Sequence, residues 1–285
     1  MILSNRLLIK ITKDTLPFVK DRYPFIYLER GRLEIDDSSV KWIDSDCNVV
    51  RLPIATISTI LMGPGTSVTH EAIKVLSQAN TLLCWVGEDG LLFYSTGVSP
   101  TSNTRNVRLQ ANLSSRIKTR TEVARRMFCE RFDDIDVSSC TISDLMGKEG
   151  KRVKKLYVDM AEKYKVGWQG RSYVPGRFEL SDITNKVLTS ANTALYALVT
   201  SVIFATGFSP CLGFVHTGSP LPFVYDLADL YKEYLCIDFA FAMTKKLAGF
   251  YDRHKVLDEF RARVVEFDLL GRIKPDIDRL FKDLE

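Results

Sequence analysis

Hydrophobic and polar positions follow a strand-like pattern over the first third of the chain and a helical one over the rest. The stretch "PFIYLERGRLEID", residues 24–36, supplies two β-rich runs hinged at Gly31. "VKWID", "NVVRLPI" and "ISTILM" follow as further strands separated by turn residues. "GPGTSVTH" reads as a loop, with Thr69 placed to cap a helix over "HEAIKVLSQAN". "TLLCWVG" and "LLFYSTG" read as strands flanking the turn "EDG". "GVSPTSNTRN" is rich in Gly, Ser, Pro, Thr and Asn and reads as a linker. Beyond it the periodicity predicts helices at roughly 104–132, 142–165, 181–207, 222–246 and 256–283, with Pro275 breaking or kinking the last. The fold class expected is α+β. A β-rich, sandwich-like domain with one short helix covers residues 1–97, a linker covers 98–106, and a larger all-α domain carrying the active site covers 107–285.

Between Val187 and Tyr225 there is no Asp, Glu, Lys or Arg. A membrane-spanning helix needs about 20 mostly apolar residues, but Thr189, Ser190, Asn192, Thr193, Thr200 and Ser201 interrupt this one. The run reads instead as the central helix of the second domain, buried on most sides, and no membrane association is expected. With 46% hydrophobic residues and 26% charged ones, a chain of 285 residues builds a core without staples. The six cysteines form no C-x-x-C pair, which disfavours a thiolate zinc site and fits a reducing compartment. "MILSNRLLIKITKD" lacks the pattern of a signal peptide, so a cytoplasmic location is expected.

The net charge of +4 says little; its distribution says more. Arg105, Arg108, Arg116, Lys118, Arg120, Arg125 and Arg126 crowd one stretch opposed only by Glu122, and Lys151, Arg152, Lys154 and Lys155 follow Glu149. Such clusters suit a phosphate-backbone binder, although on sequence alone a solvated helix face is the commoner outcome.

The chain carries three histidines, and one of them, His216, lies in "GFVHTGSPLPFVYDLADLYK" ahead of Asp226 and Asp229. Taken alone, His216 reads as a hydrogen-bonded core histidine more often than as a ligand. The two aspartates, three residues apart near a predicted helix start, share one helix face; acids there also offset the positive end of the helix dipole. Together the imidazole and carboxylates suit a hard or borderline cation such as Mg²⁺ or Mn²⁺. Glu149 in "GKEGKR", between glycines and a basic run, is the candidate further acid.

"GFVHTG…FVYDLADLYK", "SDITNKVLTSANTALY" and "GKEGKRVKKLY" together resemble the Cas-one family, the CRISPR-associated integrases of the adaptation step. "MGPGTSVTHEAIKVLSQANTLLCWVGEDG" is similar to the type I-E form, so the likeness runs through most of the chain. The resemblance implies metal ligands at Glu149, His216 and Asp229, with Asp226 as a supporting acid, either partnering a ligand or contacting a second ion. Asn185 and Tyr196 match the Asn and Tyr of the family's buried helix. Tyr173, Tyr196 and Tyr225 join the basic residues as candidate DNA contacts, with aromatic core packing an equal reading for Tyr196 and Tyr225. Two positions depart from the pattern: Met146 replaces an arginine common in relatives, and Arg30 replaces the aromatic that wedges the duplex end in close relatives.

The activity the resemblance implies is strand transfer. A 3′-hydroxyl of a captured double-stranded DNA fragment attacks a phosphodiester of the CRISPR repeat, with Mg²⁺ or Mn²⁺ activating the hydroxyl and neutralising transition-state charge. The implied partners are a second copy of the chain, met largely through the β domains, and the small adaptation protein Cas-two. A non-catalytic DNA-binding scaffold and a general metal-dependent nuclease for branched DNA are the competing readings.

Overall fold

A computed structural model describes residues 16–36, 39–87, 93–97, 103–132, 137, 140–172 and 181–284. Strands β1 (Tyr23–Leu28), β2 (Gly31–Asp36), β3 (Ser39–Asp44), β4 (Val49–Leu52), β5 (Ile57–Met62), β6 (Thr66–Val68), β7 (Leu82–Val86) and β8 (Phe93–Gly97) form two four-stranded sheets, ordered β1-β5-β7-β8 and β4-β3-β2-β6. Helix α1 (His70–Gln78) starts where expected: Thr69 accepts a hydrogen bond from the Ala72 amide. Leu33, Val40 and Trp42 of one sheet, Ile57, Ile60, Met62 and Leu83 of the other, and Leu76 of α1 form one core, giving the sandwich-like β region expected from sequence.

The β1–β2 step is not a hairpin. The strands belong to different sheets, β1 pairing in parallel with β5 and β2 pairing with β3 and β6. The chain turns at Arg30, which takes the left-handed conformation with φ 52° and is exposed at the corner. Gly31 serves packing instead: a Cβ there would lie 2.4 Å from both the Trp42 ring and the Ile43 carbonyl oxygen.

Helices follow: α2 (Arg105–Ser115), α3 (Ile117–Cys129), α4 (Ile142–Tyr164), α5 (Ile183–Ala205), α6 (Pro222–Ala228), α7 (Phe239–Leu247), α8 (Arg253–Glu266) and α9 (Leu269–Phe281). Three expected helices are divided. Arg116, with extended backbone, separates α2 from α3. A π-helical turn, Glu233–Asp238, leads into α7 after α6 has ended. Asp268, at φ 54°, separates α8 from α9, whereas Pro275 sits inside α9 without ending it.

Helix α5 is the axis of the helical region. It is long and apolar enough to cross a membrane, yet 83% of its most apolar stretch is buried inside the protein. Four of its buried hydroxyls find partners, as most buried polar groups do. Thr189 and Thr200 donate to the carbonyls of Asn185 and Tyr196, and Ser190 and Ser201 bond Tyr251 and Ser58. The Ser58 contact, 2.8 Å, ties α5 to β5. All six residues of β5 are buried because the outer face of its sheet lies under the helices, where Phe25, Leu61, Cys84 and Val86 join the helical core.

Leu61, 1% exposed, therefore supports both regions. Leu61→Ala is expected to destabilise the protein by ~2–5 kcal/mol, read as a lower urea midpoint. Tryptophan fluorescence and far-ultraviolet circular dichroism should shift together. A midpoint unchanged from wild type would show that the sheet and helices do not share this core.

Candidate metal centre

Helix α4 delivers Glu149. A capping box fixes its start: the Asp144 amide donates to Thr141 Oγ1 and the Thr141 amide to the Asp144 carboxylate. Gly147 and Gly150 flank Glu149 with open space where a Cβ would stand, leaving the helix surface beside the carboxylate bare.

The loop after α5 delivers His216. Gln110 of α2, fully buried, clamps its near end, donating to the carbonyls of Ser209 and Leu212 and accepting from the Ser209 amide. Gly213 allows the next turn, since a Cβ there would lie 2.6 Å from the His216 carbonyl and from Pro222. The far end is gathered by Asp226 of α6, whose carboxylate accepts from the amides of Phe214 (2.6 Å), Val215 (3.2 Å) and His216 (2.9 Å). It also lies 2.8 Å from His216 Nδ1. A carboxylate that accepts from three amides can only accept from the ring as well, so Nδ1 is the nitrogen that donates to it, and Nε2 lies 3.7 Å from Asp229 Oδ2. The aspartates thus straddle the imidazole. Asp226 is completely buried, and Asp229 opens onto the cleft.

Neither aspartate lies in the first turn of α6, which contains no acid, so dipole compensation there does not explain them. Asp229 occupies the C-cap, where the dipole disfavours a carboxylate. Lys232 compensates, its Nζ 2.6 Å from Asp229 Oδ1 and 5.0 Å from the Tyr196 ring centre.

Glu149, His216 and Asp229 line one cleft of ≈ 530 Å³, with Asp226 buried behind the imidazole. Arg131, just beyond α3, joins them: its Nη1 lies 3.0 Å from both Glu149 oxygens and 3.5 Å from Asp229 Oδ2. Burial pushes the Glu149 carboxyl up from its ordinary value; Arg131 opposes this and the charge of Asp229 adds to it. The Asp226 hydrogen bond raises the His216 pKa against the effect of burial, with Asp229 adding to the rise. At Lys232 burial disfavours the ammonium, but Asp229 and Tyr196 outweigh it and the pKa rises.

A divalent cation needs donors with free lone pairs aimed at one place. Glu149 Oε2 is buried and accepts no well-directed hydrogen bond, despite its 3.0 Å approach to Arg131. With Asp229 Oδ2 and His216 Nε2 it makes an oxygen-and-nitrogen donor set that fits Mg²⁺ or Mn²⁺. Among the described residues no three ligand-type side chains already close on a common point. Arg131 stands between Glu149 and Asp229.

The other expected contacts divide. Arg152 reaches the cleft, bonded to Glu233 at 2.6 Å, and Tyr196 lines it. Tyr225 packs edge-on against His216 and Tyr196. Lys151 is exposed but outside the lining, and so are Arg105, Arg108, Arg116 and Lys118; Arg120 is half-buried, also outside it. Arg125 and Arg126 are engaged structurally, Arg125 with the Cys140 carbonyl and Arg126 with Glu122 and the carbonyls of Leu280 and Lys282. This removes Arg126 from the exposed basic set, its guanidinium tying α3 to the end of α9. Tyr173 lies outside the described residues. Met146 is exposed at the cleft wall. Arg171, not singled out in the sequence, also lines the cleft; Asn185 and Thr189 hold its guanidinium at 2.8 and 3.0 Å.

The family model for "CRISPR associated protein Cas1" matches residues 25–137 and 129–249. A CRISPR-associated endonuclease Cas1 of Chlorobaculum tepidum is 59% identical over 96% of this chain and 93% of its own length. The CRISPR-associated endonuclease Cas1 of Escherichia coli K12 is 35% identical over 82% of this chain and 77% of its own. Among solved structures, a TtCas1–DNA complex matches with a TM-score of 0.81 at 30% identity, covering 92% of each chain. With its two-sheet β region, helical second part and this breadth of identity, the chain belongs to the Cas1 family of CRISPR-associated endonucleases.

Proposed function

We propose that this chain is a metal-dependent DNA strand transferase that inserts captured DNA fragments into a CRISPR repeat. The observation that carries the reading is the meeting of Glu149, His216 and Asp229, from three separate elements, at one cleft, with His216 Nδ1 held by Asp226 and Nε2 turned toward Asp229. Those three residues would hold Mg²⁺ or Mn²⁺, and the bound ion would lower the pKa of the attacking hydroxyl and offset charge on the phosphoryl oxygens. Asp226 acts as a positioning residue, orienting the imidazole through Nδ1. Arg152 and Arg171 stand at the cleft where phosphates would lie, and Tyr196 offers an aromatic face beside them. In the reaction the 3′-oxygen of the fragment forms a P–O bond as a repeat P–O bond breaks, so the number of phosphodiesters is conserved and no nucleotide triphosphate is consumed.

Support comes from the curated relatives, named endonucleases, and from the DNA in the TtCas1 complex. The partners proposed are a double-stranded fragment, the repeat DNA, a second copy of this chain and Cas-two, in the cytoplasm. Arg105, Arg108, Arg116 and Lys118 provide an exposed basic surface on and between α2 and α3 for the DNA backbone.

His216→Ala should reduce integration of a duplex fragment into a repeat-bearing plasmid, with Mn²⁺ present, by at least about a hundredfold. Wild-type integration by this variant would sink the metal-site reading, while cleavage without integration by the wild-type protein would favour a general nuclease. Asp226→Asn separates positioning from ligation. It should lower the melting temperature more than His216→Ala does, because the amide nitrogen presents donors to backbone N–H groups that need an acceptor. Equal melting temperatures would count against that role. Neutralising Arg108, Arg116 and Lys118 together should flatten the dependence of DNA affinity on salt by about one unit of slope per lost phosphate contact; an unchanged slope would place the DNA elsewhere.

A further inference from the structure

The candidate metal centre already contains a cation supplied by the chain. We infer that Arg131 is a positioning residue: its guanidinium offsets the repulsion between Glu149 and Asp229 in the metal-free protein, a task a divalent ion takes over, and it competes with that ion for the same carboxylate oxygens. The inference rests on the metal-site reading above and adds a residue to it.

Arg131 is placed from several sides. Its side chain is 5% exposed, Nε donates to the Met127 carbonyl at 3.2 Å, and the guanidinium carbon lies 4.5 Å from the Phe128 ring centre. The ring and the carbonyl leave Nη1 directed at the acids. Nη1 is 3.0 Å from each Glu149 oxygen and 3.5 Å from Asp229 Oδ2, the oxygen that also lies 3.7 Å from His216 Nε2. One nitrogen thus stands beside the oxygens assigned to the ion, in a space where two carboxylates would otherwise repel each other.

The contact is also of a displaceable kind. Its contacts to the carboxylates come from one guanidinium nitrogen, not from the two-nitrogen fork that grips a carboxylate most firmly. Glu149 Oε2, though close, receives no well-directed hydrogen bond. A doubly charged ion that takes up this oxygen therefore gives up little hydrogen bonding. Lys232 neutralises Asp229 from the other side, through Oδ1, and leaves Oδ2 to the shared space.

A resident cation and an ordinary structural ion pair make opposite predictions. If Arg131 only braces the fold, removing it loosens the carboxylates and weakens metal binding. If it competes for the site, removing it destabilises the metal-free protein and tightens metal binding. The test measures Mn²⁺ binding by calorimetry, and melting temperature in EDTA and in Mn²⁺, for wild type, Arg131→Met and Arg131→Lys. Arg131→Met should melt below wild type in EDTA, gain more than wild type from Mn²⁺, and bind Mn²⁺ at least about tenfold more tightly, the scale on which a neighbouring charge shifts cation affinity. Arg131→Lys, which keeps the charge, should stay near wild-type affinity. Affinity in Arg131→Met equal to or weaker than wild type would overturn the inference, as would equal tightening in Arg131→Lys. Should Arg131→Met fail to fold in EDTA, a cooperative melt regained with Mn²⁺ supports the inference and no recovery overturns it. Wild type that binds no Mn²⁺ overturns the metal-site reading itself, and this inference with it.

Discussion

The carboxylate of Asp226 holds the candidate site together. It is fully buried and collects the amides of Phe214, Val215 and His216 together with the imidazole of His216. A buried carboxylate without donors is costly, and so is a buried loop whose amides lack acceptors. Here each removes the other's penalty. The arrangement is held in place by α6 packing against α5. Gln110 anchors the loop at its other end, and Gly213 lets it close over Pro222. The position of His216 is therefore a property of the packed helices rather than of the loop.

Period and turn chemistry carried the division into a β-rich first part and a helical second one. The 2-residue and 3.6-residue patterns are local, and burial enforces them. The pairing of strands was less accessible. That β1 lies beside β5, and β5 beside β7, all parallel, depends on contacts far apart in sequence. Two turns were hidden for another reason. Arg30, between β1 and β2, and Asp268, between α8 and α9, adopt left-handed backbone, as glycine does readily, yet neither is glycine. Pro275, the obvious breaker, is accommodated within α9. In these places tertiary packing overrode the local signal.

In the site, Glu149, His216, Asp226 and Asp229 were visible because their residue types are uncommon in their surroundings: a histidine in an uncharged run, an acid between glycines. Arg131 and Lys232 were not. Arg131 lies in "CERFDD" and Lys232 in "DLYKEY", where a basic residue among acids reads as a solvated surface pair. Only the fold shows that the first is buried on Phe128 and that the second faces Asp229. Arg171 was hidden similarly, and Asn185, which matched a family position without a physical role, turns out to hold it. Conversely Arg126 looked like a phosphate contact and is bound to the carbonyls of Leu280 and Lys282.

The charges argue that these acids serve the cleft rather than the helix. A carboxylate at the end of α6 opposes the helix dipole, so Asp229 is placed against local preference. Glu149, near the middle of no apolar face and largely buried, is likewise disfavoured by desolvation. Local structure would be better satisfied by neutral residues at both positions. The chain instead surrounds the two carboxylates with two cations, Arg131 and Lys232, and so tolerates them in a half-buried cleft. Residues that are unfavourable where they stand, and are supported by Arg131 beyond α3 and Lys232 beyond α6, mark a place where folding has been constrained by chemistry.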